Sequence, residues 1–196
     1  LNTLIQRLAD LQEIFHDLGV GWALVGGLAV TVRGEPRFTS DVDVVVMTSD
    51  DAEAEAVLRS LVRRGWHLHQ LLEQPRLHRL ATARMRTPPP DAVPVDLLFS
   101  TTGIESKVVA AATQEELGHL RLPVARVGHL VAMKLLSVGP GRSKDQVDLD
   151  MLAAHVDAGE RSLAEDAISV IMELGTHRDK DLPAALLACL EVCRRA

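Results

Sequence analysis

Residues 26–46, "GGLAVTVRGEPRFTSDVDVVV", decide how the chain is read. The segment joins a Gly-Gly step to an alternating tail in which Asp41 and Asp43 stand among valines. In an extended strand successive side chains point to opposite faces, so Asp41 and Asp43 share one face while Val42, Val44 and Val46 take the other. Their Cα atoms then lie about 6.6 Å apart along the strand. Two carboxylates so placed can converge on one divalent cation or straddle two. Left alone they repel, and one takes up a proton. A hard cation such as Mg²⁺ removes that cost, because it takes oxygen ligands and leaves positions open for phosphate oxygens. The plain alternative for a lone D-x-D is a strand end whose acids face solvent.

Two neighbours of the motif weigh against that alternative. Upstream, "WALVGG" (22–27) reads as a short buried strand entering a tight turn, and "LAVTVRG" (28–34) as a brief helix after it. Glycine at this turn lets a triphosphate approach the backbone, and the helix N-terminus offers unpaired N–H groups. Downstream, "PVDLLFS" (94–100) puts Asp96 inside another apolar strand, where an unpaired carboxylate is costly. Three acids on two strands suit two-metal phosphoryl transfer: Asp41 and Asp43 hold both ions, while Asp96 binds one and helps deprotonate the attacking hydroxyl.

Around this centre, Leu4, Ile5, Leu8, Leu11, Phe15 and Leu18 recur at helical spacing before Gly19 and Gly21. A helix follows over 50–64, with acids in its first turn and arginines in its last, as the helix dipole favours. "WHLHQLL" (66–72) and "LHRLATARM" (77–85) are strands, and the Pro-rich "TPPPDAVP" (87–94) is a loop. After Gly103 the pattern is read as mostly helical, with segments at 105–112, 124–138 and 143–156 and two more from about 162 and 181, so that helices alone are expected in the second half. The expectation is an α/β (α+β) fold: a sheet domain over 1–125 and a C-terminal helical bundle over 126–196 packed on it.

The chain has 196 residues, 47% apolar and 24% charged, enough for a substantial core. No run of 18 apolar residues occurs, and the N-terminal segment is an amphipathic helix carrying acids, so a cytoplasmic protein without membrane association is expected. The formal charge of −6 argues against coating nucleic acid by bulk attraction. Residues 59–86 nevertheless carry seven arginines against one acid, Glu73, a local charge of +6. Such a stretch is either a solvated face or a surface suited to a phosphate-bearing substrate.

Gly26-Gly27, thirteen intervening residues, Asp41-Val42-Asp43 and the later Val95-Asp96-Leu97-Leu98 resemble the nucleotidyltransferase superfamily of DNA polymerase β. That superfamily carries G-G or G-S, then D-x-D, then a third acid on a neighbouring strand. The resemblance implies a nucleotidyltransferase-type mixed sheet with flanking helices, Mg²⁺ or Mn²⁺ at Asp41, Asp43 and Asp96, and an NTP as substrate.

In the helical half, Val127, Leu130, Val131, Leu135 and Val138 form an apolar stripe on which Lys134 also falls. A lysine there either snorkels outward or aims its ammonium at a negative group. In the following helix Lys144 lies four residues before Asp148, so that helix can also pair with itself. "LVAMKLLS" (130–137) followed by "GRSKDQVDLDML" (141–152) resembles the AbiEii-like toxins, the nucleotidyltransferase component of type IV toxin–antitoxin pairs, which include the mycobacterial MenT proteins. By this resemblance Lys134 is a catalytic residue that binds the nucleotide phosphates, beside Asp41, Asp43 and Asp96. Gly26, Gly27, Arg37, Thr39, Ser40, Arg142, Lys144, Asp145 and Asp148 form the nucleotide pocket, with the essential member of the last two left open. The implied reaction is transfer of NMP from an NTP to an RNA 3′ end, foremost tRNA, by a toxin with a cognate antitoxin. An antibiotic-modifying nucleotidyltransferase and an inactive member that binds a nucleotide or a partner are the alternatives.

Thr39 shares the face of Asp41 and Asp43 if the strand extends back two residues, which marks it as a candidate phosphorylation site where added charge would fill the phosphate pocket. With three Phe, two Trp and no Tyr, the chain lacks the aromatic platforms on which single-stranded bases usually stack.

Overall fold

The computed structural model describes residues 2–139 and 143–193. Helix α1 (Asn2–Leu18) buries Leu4, Ile5, Leu8, Leu11, Ile14 and Phe15 along one stripe. It is followed by β1 (Trp22–Val25), α2 (Gly26–Arg33), β2 (Val42–Val46) and α3 (Asp51–Arg63). The last of these begins with Asp50, whose side chain accepts from the Glu53 amide, and ends in Arg63. Its first-turn acids and last-turn base therefore complement the helix dipole as the sequence implied. Strands β3 (His67–Gln74), β4 (Arg79–Arg86) and β5 (Pro94–Leu98) come next, then α4 (Glu105–Ala111).

The chain then departs from the all-helical expectation. Thr113–Leu117 and Leu120–Val124 form a hairpin, β6 and β7, turning at Gly118 (φ 64) with Leu117 opposite Leu120. Along β7, Leu122 and Val124 are buried while Arg121 is exposed, the alternation of a half-buried strand. Acidic Glu115 and Glu116 and the proline at 123 obscure that alternation in the sequence. Helices α5 (Val127–Ser137), α6 (Ser143–Ala153), α7 (Ala158–Glu173) and α8 (Leu182–Cys193) complete the order.

The seven strands make one mixed sheet in the order β3-β4-β5-β2-β1-β7-β6. At its centre β1 pairs antiparallel with β2, and β2 pairs parallel with β5. All four residues of β1 are buried, as are the valines of β2, so the central strands are covered on both faces. Buried Glu160 ties the start of α5 to α7, accepting from Arg126 Nε at 2.6 Å and from the Gly128 amide at 2.8 Å. No helix among the described residues is long and apolar enough to cross a membrane.

Several arginines of the arginine-rich segment are paired with acids. Arg59 pairs with Glu55, Arg64 with Asp17 and Arg79 with Asp51. Within that segment Arg84 is the residue whose guanidinium reaches Asp96.

Candidate active site

The parallel pairing of β2 with β5 sets the geometry. Asp43 and Asp96 are direct register partners, and Asp41 lies just before the first residue of β2. All three carboxylates line one cleft of about 490 Å³, together with Gly26 and Lys134. A smaller pocket of about 190 Å³ adjoins it, shares Asp41, Asp43, Lys134 and Asp145, and extends to Gly27, Arg37, Thr39, Ser40, Lys144 and Asp148. The sequence-derived residues are thus brought together, except Arg142, which lies outside the described residues.

Helix α2 opens directly on the two glycines. Gly26 has φ 63, and a Cβ there would collide with the carboxylate of Asp43. At Gly27 a Cβ would stand 2.6 Å from Arg37 Nη2 and 2.8 Å from Thr39 Oγ1. Glycine is required at both positions so that the β2 acids and the preceding loop can close on the helix start. The Gly27 amide lies close enough to Asp43 to favour its ionised form.

The charges explain how costly this cluster is. Burial, then the neighbouring charges of Asp41 and Asp96, push the Asp43 carboxyl up to about 7, against the opposing pull of Lys134 and the Gly27 amide. Burial also raises Asp96, opposed by Arg84, whose Nε lies 3.2 Å from Asp96 Oδ2. Asp41 is exposed and accepts a 2.6 Å hydrogen bond from Thr39 Oγ1. Among the described residues no three acidic, histidine or cysteine side chains are already drawn together as a ligand set. Asp41 is turned to Thr39 and Asp96 to Arg84 instead. The donor chemistry nonetheless fits a hard divalent cation: oxygen ligands only, crowded in a cleft where one of them holds a proton near neutrality.

Lys134 of α5 does not snorkel to solvent. Its Nζ stands 2.9 Å from Asp145 Oδ1 and 2.7 Å from Asp148 Oδ2 on α6. Burial works against its charge, yet the hydrogen bonds and charges of Asp148 and Asp145 outweigh it and hold the ammonium above the usual lysine range. Asp148 is fully buried and also receives Arg37, with Nη2–Oδ2 at 3.0 Å and an Nε–Oδ1 ion-pair contact of 2.6 Å. The self-pairing of Lys144 with Asp148 considered from the sequence is therefore replaced: Asp148 turns inward, and Lys144 stays exposed at the pocket. This separates the two aspartates. Asp148 holds both Lys134 and Arg37 and borders only the smaller pocket, while Asp145 holds Lys134 and lines both cavities.

Three features escaped the sequence reading. Arg84 is beside Asp96 because β4 pairs with β5 in that register, a relation no local pattern encodes. Arg178, from the connection between α7 and α8, lines the larger cleft. Phe38 is 86% exposed at the smaller pocket, whereas Phe15, Phe99, Trp22 and Trp66 are buried. The aromatic surface expected to be missing is thus present at one position, at the site itself.

With this geometry in view, the comparisons are decisive. The profile of the family described as "Nucleotidyl transferase AbiEii toxin, Type IV TA system" matches residues 9–188. The chain belongs to the AbiEii family. It is accordingly an NTP-dependent nucleotidyltransferase of the toxin–antitoxin class. Among solved structures, it is similar to the antibiotic-resistance factor ANT(2'')-Ia, with a TM-score of 0.60 and 14% identity over 90% of this chain and 97% of that one. It is also similar to an antigenic nucleotidyltransferase-like protein from Paracoccidioides brasiliensis, with a TM-score of 0.53 and 16% identity over 93% of this chain and 91% of that one. At such identities the likeness speaks for the fold. No curated protein matches the sequence.

Proposed function

We propose that this AbiEii member transfers NMP from an NTP to an RNA 3′ end, foremost that of tRNA, as a cytoplasmic toxin held in check by a cognate antitoxin. The observation that supports the reading most is the shared cleft of Asp41, Asp43, Asp96 and Lys134. Asp41, Asp43 and Asp96 would hold Mg²⁺ or Mn²⁺, which supplies positive charge to the triphosphate oxygens when bound.

The chain's own residues account for the rest. The acceptor hydroxyl attacks the α-phosphorus in line, the new P–O bond forms as the bond to pyrophosphate breaks, and Asp96 receives the hydroxyl proton. Arg84 supports that role by opposing the upward push of burial on Asp96. Lys134, kept charged by Asp148 and Asp145, and Lys144 face the leaving pyrophosphate. Gly26 and Gly27 keep the backbone of α2 accessible, Thr39 and Ser40 offer hydroxyls along the triphosphate, and Phe38 offers a face for one base.

The test is to incubate the full chain with NTPs labelled at the α-phosphate, separately with tRNA and with an aminoglycoside. Label is expected in the tRNA, and in none of it with Asp41→Ala. Label confined to the aminoglycoside overturns the acceptor, and transfer by Asp41→Ala overturns the site.

A further inference from the structure

Two cavities meet at the aspartates, and their cations differ. The smaller one has Lys134 and Lys144, with Arg37 committed to Asp148. The larger one shares Lys134 but adds Arg84 and Arg178, neither of which lines the smaller pocket. Arg84 is occupied by Asp96. Arg178 is exposed, and no hydrogen bond or ion pair joins its side chain to another described residue. A guanidinium facing a reaction cleft without a protein partner is available to a ligand.

Its placement is held from several sides. Arg178 and the next residue, Asp179, both have left-handed backbone, φ 54 and φ 57. Such conformations are uncommon outside glycine and asparagine and persist where the surroundings impose them. On one flank, buried Thr176 donates from Oγ1 to the Thr102 carbonyl at 2.8 Å. On the other, Lys180 donates from Nζ to the carbonyls of Leu135 at 3.1 Å and Leu136 at 2.6 Å, and to that of Val138. Those carbonyls end α5, the helix that carries Lys134. The connection that presents Arg178 is thus anchored to the same helix that supplies the phosphate-facing lysine.

A guanidinium fork matches the oxygens of a phosphate, and it repels a cationic sugar. Lys134 and Lys144 line the smaller pocket, whereas Arg178 lines only the larger cleft, the one that also holds Asp96, where the proposed function puts the acceptor hydroxyl. We propose that Arg178 determines acceptor specificity by gripping a phosphodiester of the RNA next to its 3′-terminal nucleotide, which favours RNA over a polycationic small molecule. This inference rests on the RNA-acceptor reading above.

The experiment compares wild type, Arg178→Ala and Arg178→Lys as full chains of matched thermal stability, varying tRNA and NTP independently, and measures tRNA binding at several salt concentrations. Arg178→Ala should raise the KM for tRNA about tenfold, the loss expected of one charge-assisted phosphate contact. The KM for NTP should stay within about twofold, Arg178→Lys should recover part of the loss, and the slope of log affinity against log salt should become shallower by roughly one contact's worth. A raised KM for NTP with that for tRNA unchanged would assign the arginine to the triphosphate and overturn the inference, as would unchanged values for both. Wild-type protein that labels no RNA would sink the functional reading itself. Wild-type labelling with an indistinguishable Arg178→Ala variant would sink this inference alone.

Discussion

Asp43 is the residue at which the requirements of folding and of chemistry conflict. Its carboxyl is raised to about 7, from an ordinary 3.8, by burial and by Asp41 and Asp96. Between those two values the folded chain binds a proton at Asp43 that the unfolded chain does not. The stabilisation from that proton is complete below the unfolded value and is lost as pH rises through about 7. The Tm of the metal-free chain should therefore fall between about pH 4 and pH 7 through this group and level off above, and Asp43→Asn should flatten the decline. Added Mg²⁺ should raise the Tm more at the upper end, where no proton competes for the oxygens. Thermal melts of both proteins across that range, with and without the ion, check this. Thr39 is the second conflicted residue, since its Oγ1 donates to Asp41 Oδ1 at 2.6 Å. We propose that phosphorylation there acts as an off switch, because a phosphoryl group of about −1.5 to −2 charge would sit against that carboxylate. Thr39→Glu should retain less than about a hundredth of wild-type transfer, roughly 2.7 kcal/mol on the barrier. Full activity in the labelled-NTP assay would refute the switch.

At the level of elements, the site depends on how α6 meets α5. Asp148 is buried and holds Lys134 and Arg37, whose side chains are only 15% and 17% exposed. Removing it leaves Arg37 without its carboxylate and Lys134 with Asp145 alone among the described residues. Asp148→Ala should accordingly cost about 3–5 kcal/mol of stability, whereas Asp145→Ala, whose carboxylate lines the cavities, should cost far less and act on kcat/KM. Denaturant melts paired with kinetics distinguish a brace from a contact residue. This also shows what a sequence conveys. The Gly-Gly step, D-x-D and Asp96 were legible because each sits in a short element whose periodicity is local. That Asp148 turns to Lys134 rather than to Lys144 depends on the crossing of two helices, and no spacing within α6 reports it. The β6–β7 hairpin was missed for a related reason: Gln114, Glu115 and Glu116 are compatible with a helix in isolation, and only pairing across the hairpin with β7, which in turn pairs with β1 through Val124 and Leu24, makes them strand.

At the scale of the whole molecule, charge is arranged pair by pair rather than as a field. The +6 stretch over 59–86 suggested a funnel for RNA, but Arg59, Arg64 and Arg79 each face an acid on α3 or α1. A chain of net charge −6 in which Arg59, Arg64, Arg79 and Arg84 are paired with acids offers little long-range attraction. Recognition of an RNA end then rests on a few contacts at the cleft, and the dependence of tRNA affinity on salt should be shallow, about −0.7 in log–log slope for each single-strand phosphate engaged. The double substitution Arg59→Gln and Arg64→Gln should leave the KM for tRNA within about twofold, since surface ion pairs contribute little. Arg84→Gln should behave differently, because Arg84 is the group that restrains the rise of Asp96. Without it the Asp96 carboxyl rises further, and the acidic limb of the kcat profile moves to higher pH. A double variant that weakened tRNA binding as much as Arg178→Ala would restore the funnel and count against recognition confined to the cleft. An Arg84→Gln profile that did not move would mean that Asp96 takes no proton in the rate-limiting step.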